Sequence, residues 1–531
     1  MSSPLPTESI PNGMNSIHNS PYRTPSSRGQ VRSGTRQKTA DWCNIGEVSC
    51  CRTEVLGSCA PSHGIAQSIR NAPHLNIKHM EMGMSTLRGL CWIVGTALLL
   101  GCGDSPAPTV DTANAAEPRR AAPSLIARTT AKTEPLTGWP QFRGTAGMGV
   151  TSAQLPVEWS HTDHMVWKTP LPGAGASSPI VFGNQIYLTA YTGYLVPGED
   201  RGEHTNLQRH LIAISRKDGK IVWDKAVAAV LPEEENIRDH GFAASTPAAD
   251  ADRVYTFFGK TGVLAFDHQG KTLWQTSVGT KTHGWGSSAS PILFEELVIV
   301  NASVESESLV ALDRHTGKEV WRAGGIKEAW NTPLIIDAGG HPELIVATHG
   351  KILAFHPLTG KPLWNCDTDI TWYMAPSMVA HDGVVYALGG RSGITALAVR
   401  AGGQGDVTRS HRLWTIKDGS NVSSPVWNNG YLYFANDNRE TAYCIDTKSG
   451  EVVYQQRLER AGQIYASALL AADRVYYTTR QGKTFVLSAK PGFEQLSVNS
   501  LEDRSIFNAS PAVDGNRLLI RSDKYLYCLG Q

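Results

Sequence analysis

Seven short segments hold most of the side chains that have something to offer a ligand: residues 239–242, 283–286, 329–331, 371–374, 419–421, 463–465 and 506–508. Within them His240, Trp285, Trp330, Asn331, Trp372, Tyr373, Asn421, Tyr465 and Asn508 are the candidate ligand-binding residues. Aromatic faces supply apolar contact area, and amides and an imidazole supply oriented hydrogen bonds, the combination that a small-molecule or peptide pocket uses. The same residues equally suit the plainer role of plugging and capping a core. No catalytic residue set stands out. The chain has no Cys-x-x-Cys-His for covalent haem, no paired Cys-x-x-Cys for zinc and no His-Glu-x-x-His. Glu203, His204 and His210 have metal-binding side chains, but no regular element presets their geometry, so no metal is expected.

These segments sit in a chain of 531 residues with 49 basic and 48 acidic side chains, a formal charge of +1. That balance leaves no broad electrostatic footprint for nucleic acid, and none is expected as a partner. Of the nine cysteines only Cys366, Cys444 and Cys528 fall in the C-terminal three quarters, which argues against a fold built on disulfides.

The N-terminal part reads as addressing information. Residues 1–81 are rich in Ser, Arg, Asn, Gly and Pro, and read as disordered or as sequence upstream of the true start at Met82 or Met84. Arg88 then precedes the apolar run at 90–100, which ends in Gly101-Cys102, the layout of an export signal too short to span a bilayer comfortably. Residues 103–136, rich in Ala, Pro and Thr, suit a flexible tether. Leu99-Leu100-Gly101-Cys102 resembles the lipobox of bacterial lipoproteins, which implies lipidation at Cys102 and anchoring on the periplasmic side of a bacterial membrane; a plain cleaved signal or short anchor is the other reading.

What must position the candidate segments is a repeat. Residues 137–531 recur as Ser-Ser-Pro or a variant, a β-rich run, a Gly-containing turn, a Leu-x-Ala-x-Asp run, Thr-Gly-Lys and Trp. The proline marker falls at Pro179, Pro247, Pro291, Pro333, Pro376, Pro425 and Pro511, with Ala468 in the seventh place. The aromatic marker falls at Trp167, Trp223, Trp274, Trp321, Trp364 and Trp414, then weakens to Tyr454 and Leu496. Both count eight. A period of about 40–50 residues containing four strand signals is that of a propeller blade. The expected fold is therefore all-β: an eight-bladed β-propeller of four-stranded blades. The last blade lacks its outer strand, and residues 165–169 are free to supply it.

The recurring A-x-D-x-x-T-G-K-x-x-W phrase resembles the tryptophan-docking motif of the pyrroloquinoline-quinone (PQQ) repeat family. The resemblance implies that Trp167, Trp223, Trp274, Trp321, Trp364 and Trp414 pack between neighbouring blades, and that the candidate segments gather at one end of the central axis, where the dehydrogenases of the family hold their quinone. Two features of those dehydrogenases are missing: the only adjacent cysteines, Cys50-Cys51, precede the repeats, and no aligned calcium-binding set is visible, Asp239, Glu328, Asp369 and Asp503 standing isolated. No cofactor is expected on that ground, with PQQ and calcium as the alternative. The architecture is similar to that of the lipoprotein that helps to assemble outer-membrane β-barrels. The reading is thus a monomeric, membrane-anchored, non-catalytic scaffold for protein clients; the alternatives are a PQQ-dependent alcohol or sugar dehydrogenase and a small-ligand or glycan sensor.

Overall fold

Each repeat folds into one antiparallel sheet of four strands, and eight such sheets surround a common axis. The computed structural model describes residues 138–530 except Asp239, Ser392 and Gly393. The upstream segment 1–81, the signal at 82–102 with Cys102, and the tether at 103–136 lie outside the described residues.

Blade 3 shows how the sequence makes a blade. Its strands are Ile292–Phe294, Leu297–Ala302, Ser308–Asp313 and Glu319–Gly324, from the axis outward. The two middle strands are buried along almost their whole length, and the outermost is mostly exposed. A sheet covered on both faces reads as a continuous apolar run rather than an alternating one. The cover comes from neighbouring blades: Tyr255 and Phe257 of blade 2 share a core with Val298 and Val300 of blade 3, and Ile345 of blade 4 shares one with Val385 and Leu397 of blade 5.

Indoles lock the blades from outside. Trp223 of blade 1 donates its ring N–H to the carbonyl of His268 in blade 2 (3.0 Å), Trp274 to Arg314 in blade 3 (3.0 Å), Trp321 to Pro357 in blade 4 (3.0 Å) and Trp414 of blade 5 to Thr447 in blade 6 (2.9 Å). Each ring lies on the glycine of the next blade's hairpin. At Gly317, with φ +71°, a Cβ would stand 2.6 Å from the Trp274 ring, so this turn needs both the positive φ and the missing side chain. Trp167 covers Gly219 of blade 1 in the same way. Trp364 departs from the pattern and bonds the Glu343 carboxylate of its own blade (2.7 Å). Blade 5 has no such hairpin; it inserts a short strand, Gly405–Asp406, which pairs in parallel with the outer strand of blade 4, Pro362–Asp367.

A second belt lies on the inside. The amide of Ser178 donates to the hydroxyl of Thr246 (2.9 Å), Thr246 to Ser290 (3.0 Å), Ser290 to Thr332 (3.0 Å), Thr332 to Ser377 (3.0 Å), Ser377 to Ser424 (2.9 Å), Ser424 to Ser467 (3.3 Å), Ser467 to Ser510 (2.9 Å), and Ser510 back to Ser178 (3.1 Å). The circle is complete, one hydroxyl residue per blade. It also corrects the proline register: in blade 5 the belt residue is Ser377, followed by Met378, so Pro376 stands two residues early. The hydroxyl recurs without exception because a hydrogen bond depends on it, whereas the proline after it is dispensable.

The ring closes as expected. Met165–Pro170 pairs antiparallel with Tyr525–Leu529 as the fourth strand of blade 8, Trp167 opposite Cys528 and Thr169 opposite Leu526. Fully buried Arg521 ties the same seam, donating to the carbonyl (2.8 Å) and hydroxyl (2.6 Å) of Ser177 in blade 1.

The docking geometry separates two positive-φ glycines. Gly340 (φ +92°) has open space where a Cβ would go, while Gly317 has an indole. In equilibrium denaturation Gly317→Ala should cost about 1–3 kcal/mol more than Gly340→Ala, the penalty of overpacking added to the shared backbone strain. Equal losses would mean that the indole can move aside.

Candidate functional site

The loops entering the innermost strands meet at one end of the axis, around a cavity of about 310 Å³. That volume lies in the range of small-molecule sites. Its waist is the hydroxyl belt, for all eight belt residues line it.

The other end is shut by the segment that precedes the first blade. Residues 138–151 cross beneath the belt. Trp139 exchanges backbone hydrogen bonds with Val181 in the inner strand of blade 1, the Pro140 carbonyl accepts from Ala249 in blade 2 (2.8 Å), and Val150–Thr151 pairs in parallel with the inner strand of blade 7, Leu469–Ala471. Arg143, buried and at φ +62°, donates to the carbonyls of Met148 (3.0 Å) and of Pro425 in blade 6. Phe142 lines the cavity from this side.

Seven of the nine candidate residues reach the cavity wall: His240, Trp285, Trp330, Tyr373, Asn421, Tyr465 and Asn508. Asn331 does not. It is fully buried, donating to the carbonyls of Ala347 (2.6 Å) and Met374 (3.2 Å), and so holds two loops together. Trp372 is 44% exposed and stands edge-on to Tyr373 without lining the cavity.

The wall has two chemical halves. On the side of blades 3 to 5 the rings of Trp285, Trp330 and Tyr373 tile against one another, Tyr373 lying 5.9 Å from Trp285 at 44° and 5.5 Å from Trp330 at 75°. Trp330 is fixed by its ring N–H, which donates to the Gly286 carbonyl (2.7 Å). On the side of blades 6 to 8 the wall is amide-rich: Asn421, Asn438, Gln463 and Asn508. Asp437, behind them, accepts from the Asn421 backbone (2.7 Å) and the Asn438 amide (2.8 Å), and burial holds its carboxyl above the usual range. Arg480 stacks on Tyr465 (4.4 Å) and bonds Asn508 (3.0 Å) and Gln463 (2.7 Å).

Sequence reasoning missed Arg238, Arg391, Asn438, Gln463, Phe142 and the belt hydroxyls. Gln463 lies within a segment already singled out, and Arg238 one residue outside another. Arg391 and Asn438 sit on hairpins between middle strands, outside the loops that enter the innermost strands; the belt was visible as Ser or Thr at a fixed place in every repeat.

The long loop of blade 1 at residues 193–207, between strands Gln185–Thr192 and Gln208–Ser215, buttresses one of these loops. Tyr194 is buried, donates to the Glu235 carbonyl (2.7 Å) and packs with Phe242, Ile237 and Leu207. His210 bonds Asp224 (2.8 Å) and Thr192 (2.9 Å), and the His204 ring lies tilted against Tyr194 with centroids 4.7 Å apart, so Glu203, His204 and His210 do not converge. Among the described residues no cluster of metal-binding side chains is present.

The family model described as outer membrane protein assembly factor BamB, built on the PQQ repeat, matches residues 150–287 and 208–456, more than half of the chain. The chain belongs to this BamB-type PQQ-repeat family. The outer membrane protein assembly factor BamB of Yersinia pestis is 22% identical over 275 residues, 49% of this chain and 67% of the relative. A europium-containing methanol dehydrogenase superposes with a TM-score of 0.53 at 12% identity, over 75% of this chain and 99% of its own. The quinohemoprotein alcohol dehydrogenase of Comamonas testosteroni gives 0.52 at 13%, over 75% and 81%. At such identities the dehydrogenases share the propeller fold with this BamB-type chain, and their chemistry does not follow.

A calcium-held quinone needs carboxylate oxygens at the axis. None of the described residues lining the cavity is Asp or Glu. Asp369 is paired with Arg412 (3.5 Å) away from the wall, Glu328 is exposed, and Asp239 lies outside the described residues. Burial opposes ionisation of Asp503, but hydrogen bonds from Ser522 (2.6 Å), Ser505 (2.7 Å) and Tyr527 (2.9 Å) outweigh it and hold the carboxyl below its usual range, fixed to the scaffold. The described residues do not fit the group.

One buried acid does bear on the site. Glu305 accepts from the Ser287 hydroxyl and so pins the loop that carries Trp285, while its other oxygen has no partner. Burial pushes its carboxyl up to about 7. A carboxyl raised in the folded state favours folding while protonated, so stability should fall as pH rises from about 4.5 to about 7 and then level off. Denaturation midpoints of Glu305→Gln, compared with the parent from pH 5 to pH 8, should lack that fall; an unchanged slope would show that Glu305 does not carry it.

Proposed function

We propose that this chain is an exported, lipid-anchored propeller that serves as a non-catalytic, protein-binding scaffold in the assembly of outer-membrane proteins. The family match carries the reading, since the family and its Yersinia relative are described as an assembly factor. The geometry supports it. Outside blade 4, the outermost strands have a free edge among the described residues, and several display apolar side chains: Ile221 and Val222 in blade 1, Val320 in blade 3, Val452 and Val453 in blade 6. Such an edge accepts an extended chain by main-chain hydrogen bonding, with alternate side chains setting specificity. The strand that Gly405–Asp406 adds to blade 4 is this kind of pairing made within the molecule. No quinone enters this reading, because the cavity wall offers no carboxylate for calcium among its described residues. Export and lipidation rest on the sequence at residues 82–102 and bring the scaffold to the membrane where its clients insert.

Anchor and scaffold are testable apart. Cys102→Ser should abolish labelling by radioactive palmitate and move the protein from the membrane to the soluble fraction; retention on the membrane without label would refute the anchor. A photo-crosslinking residue at position 222, 320 or 453 should capture a discrete envelope protein in living cells, and one at buried position 299 should not. Adducts no more frequent from the rim than from position 299 would refute the scaffold.

A further inference from the structure

The axial cavity carries a chemical signature that scaffolding does not use. Its basic lining residues are Arg238, His240 and Arg391, with no carboxylate among the described residues. Arg238 holds its guanidinium 4.8 Å from the Trp285 ring centroid, a cation–π contact that places the charge over the mouth. Neither Arg238 nor Arg391 has a carboxylate partner among the described residues, although the chain as a whole is balanced, 49 bases to 48 acids. Two guanidiniums lining one cavity without a carboxylate partner among the described residues favour an anion, and their planar donor forks match a carboxylate.

The rest of the wall narrows the class. Belt hydroxyls encircle the cavity, the amides line the side of blades 6 to 8 together with Tyr465, and the other wall rings, Trp285, Trp330 and Tyr373, lie tilted on the opposite side. Trp285, Trp330 and Tyr373 meet at 44° and 75°, so they make no parallel-sided slot for a flat aromatic molecule. Tilted rings suit the C–H faces of a saturated ring, and a wall of amides and hydroxyls suits a ligand with hydroxyls around its rim. The floor is closed by Phe142, so the cavity takes a molecule of limited size or the end of a longer one.

We propose that the cavity is a binding site for a small acidic carbohydrate, a hydroxylated ring bearing a carboxylate. The carboxylate meets Arg238 and Arg391 at the mouth, one sugar face rests on Trp285 and Tyr373, and the hydroxyls bond Asn421, Asn438 and Gln463. This inference is independent of the scaffold reading: clients would use the outer strand edges, and the cavity lies on the axis.

The test is calorimetric titration of the full mature protein with trigalacturonate, its uncharged methyl ester, and pyrroloquinoline quinone as a flat aromatic acid. Trigalacturonate should bind about tenfold more tightly than the ester at low ionic strength, an advantage that salt erodes. The double variant Arg238→Ala/Arg391→Ala should lose that advantage while still binding the ester, and Trp285→Ala should weaken both sugars. Both guanidiniums are at the exposed mouth, so an unchanged thermal midpoint in the double variant will show an intact fold. Equal affinity for acid and ester, no sugar binding at all, or binding of the quinone alone would each overturn the proposal.

Discussion

The structure depends on one circular set of hydrogen bonds. At the axis each blade offers a backbone amide to the hydroxyl of the next, and the eighth returns to the first, Ser510 to Ser178 at 3.1 Å. An amide buried at the hub of a ring has no water to turn to, and leaving it unpaired would cost on the order of 1–3 kcal/mol. The circle therefore holds only if every blade keeps both a hydroxyl and its place. An open seam would leave one donor and one acceptor without a partner.

The outer belt of indoles applies the same logic at larger radius, and the two belts together prevent adjacent sheets from sliding past one another. They also explain the shape of the site. The belt sets the waist of the axial cavity; Phe142 and the segment around it set the floor. The loops leading into the innermost strands set the mouth, braced by Tyr194 at one loop, Glu305 at another and Asp437 behind a third. Positions that look decorative in the repeat are thus what place aromatic, amide and guanidinium groups around one space.

The repeat was legible because its determinants are local. Asp-x-x-Thr-Gly-Lys closes a hairpin within a few residues, and the tryptophan that follows recurs at the blade period, so the blade count and the closing strand Met165–Pro170 could be read directly. Legibility failed where the partner is distant. Pro376 looked like the blade 5 marker, but the hydrogen bond that matters belongs to Ser377. Trp364 reads like its fellows, yet the hairpin it would dock on is missing from the next blade and it turns to Glu343. Asn331 and Trp372 stand in the right loops, but side-chain direction, which a loop sequence does not encode, takes one into the core and the other outward. Arg391 and Asn438 reach the cavity from hairpins between middle strands, and only the closed ring brings those near the axis.

The central claim is that the eight belt amides form one cooperative unit. Native-state hydrogen exchange, resolved at Ser178, Thr246, Ser290, Thr332, Ser377, Ser424, Ser467 and Ser510, tests it most directly. All eight should exchange only through global unfolding, with a common opening free energy and a common dependence on denaturant. Graded protection, with Ser510 and Ser178 opening well before the others, would show a ring that unzips at its seam and would contradict the account.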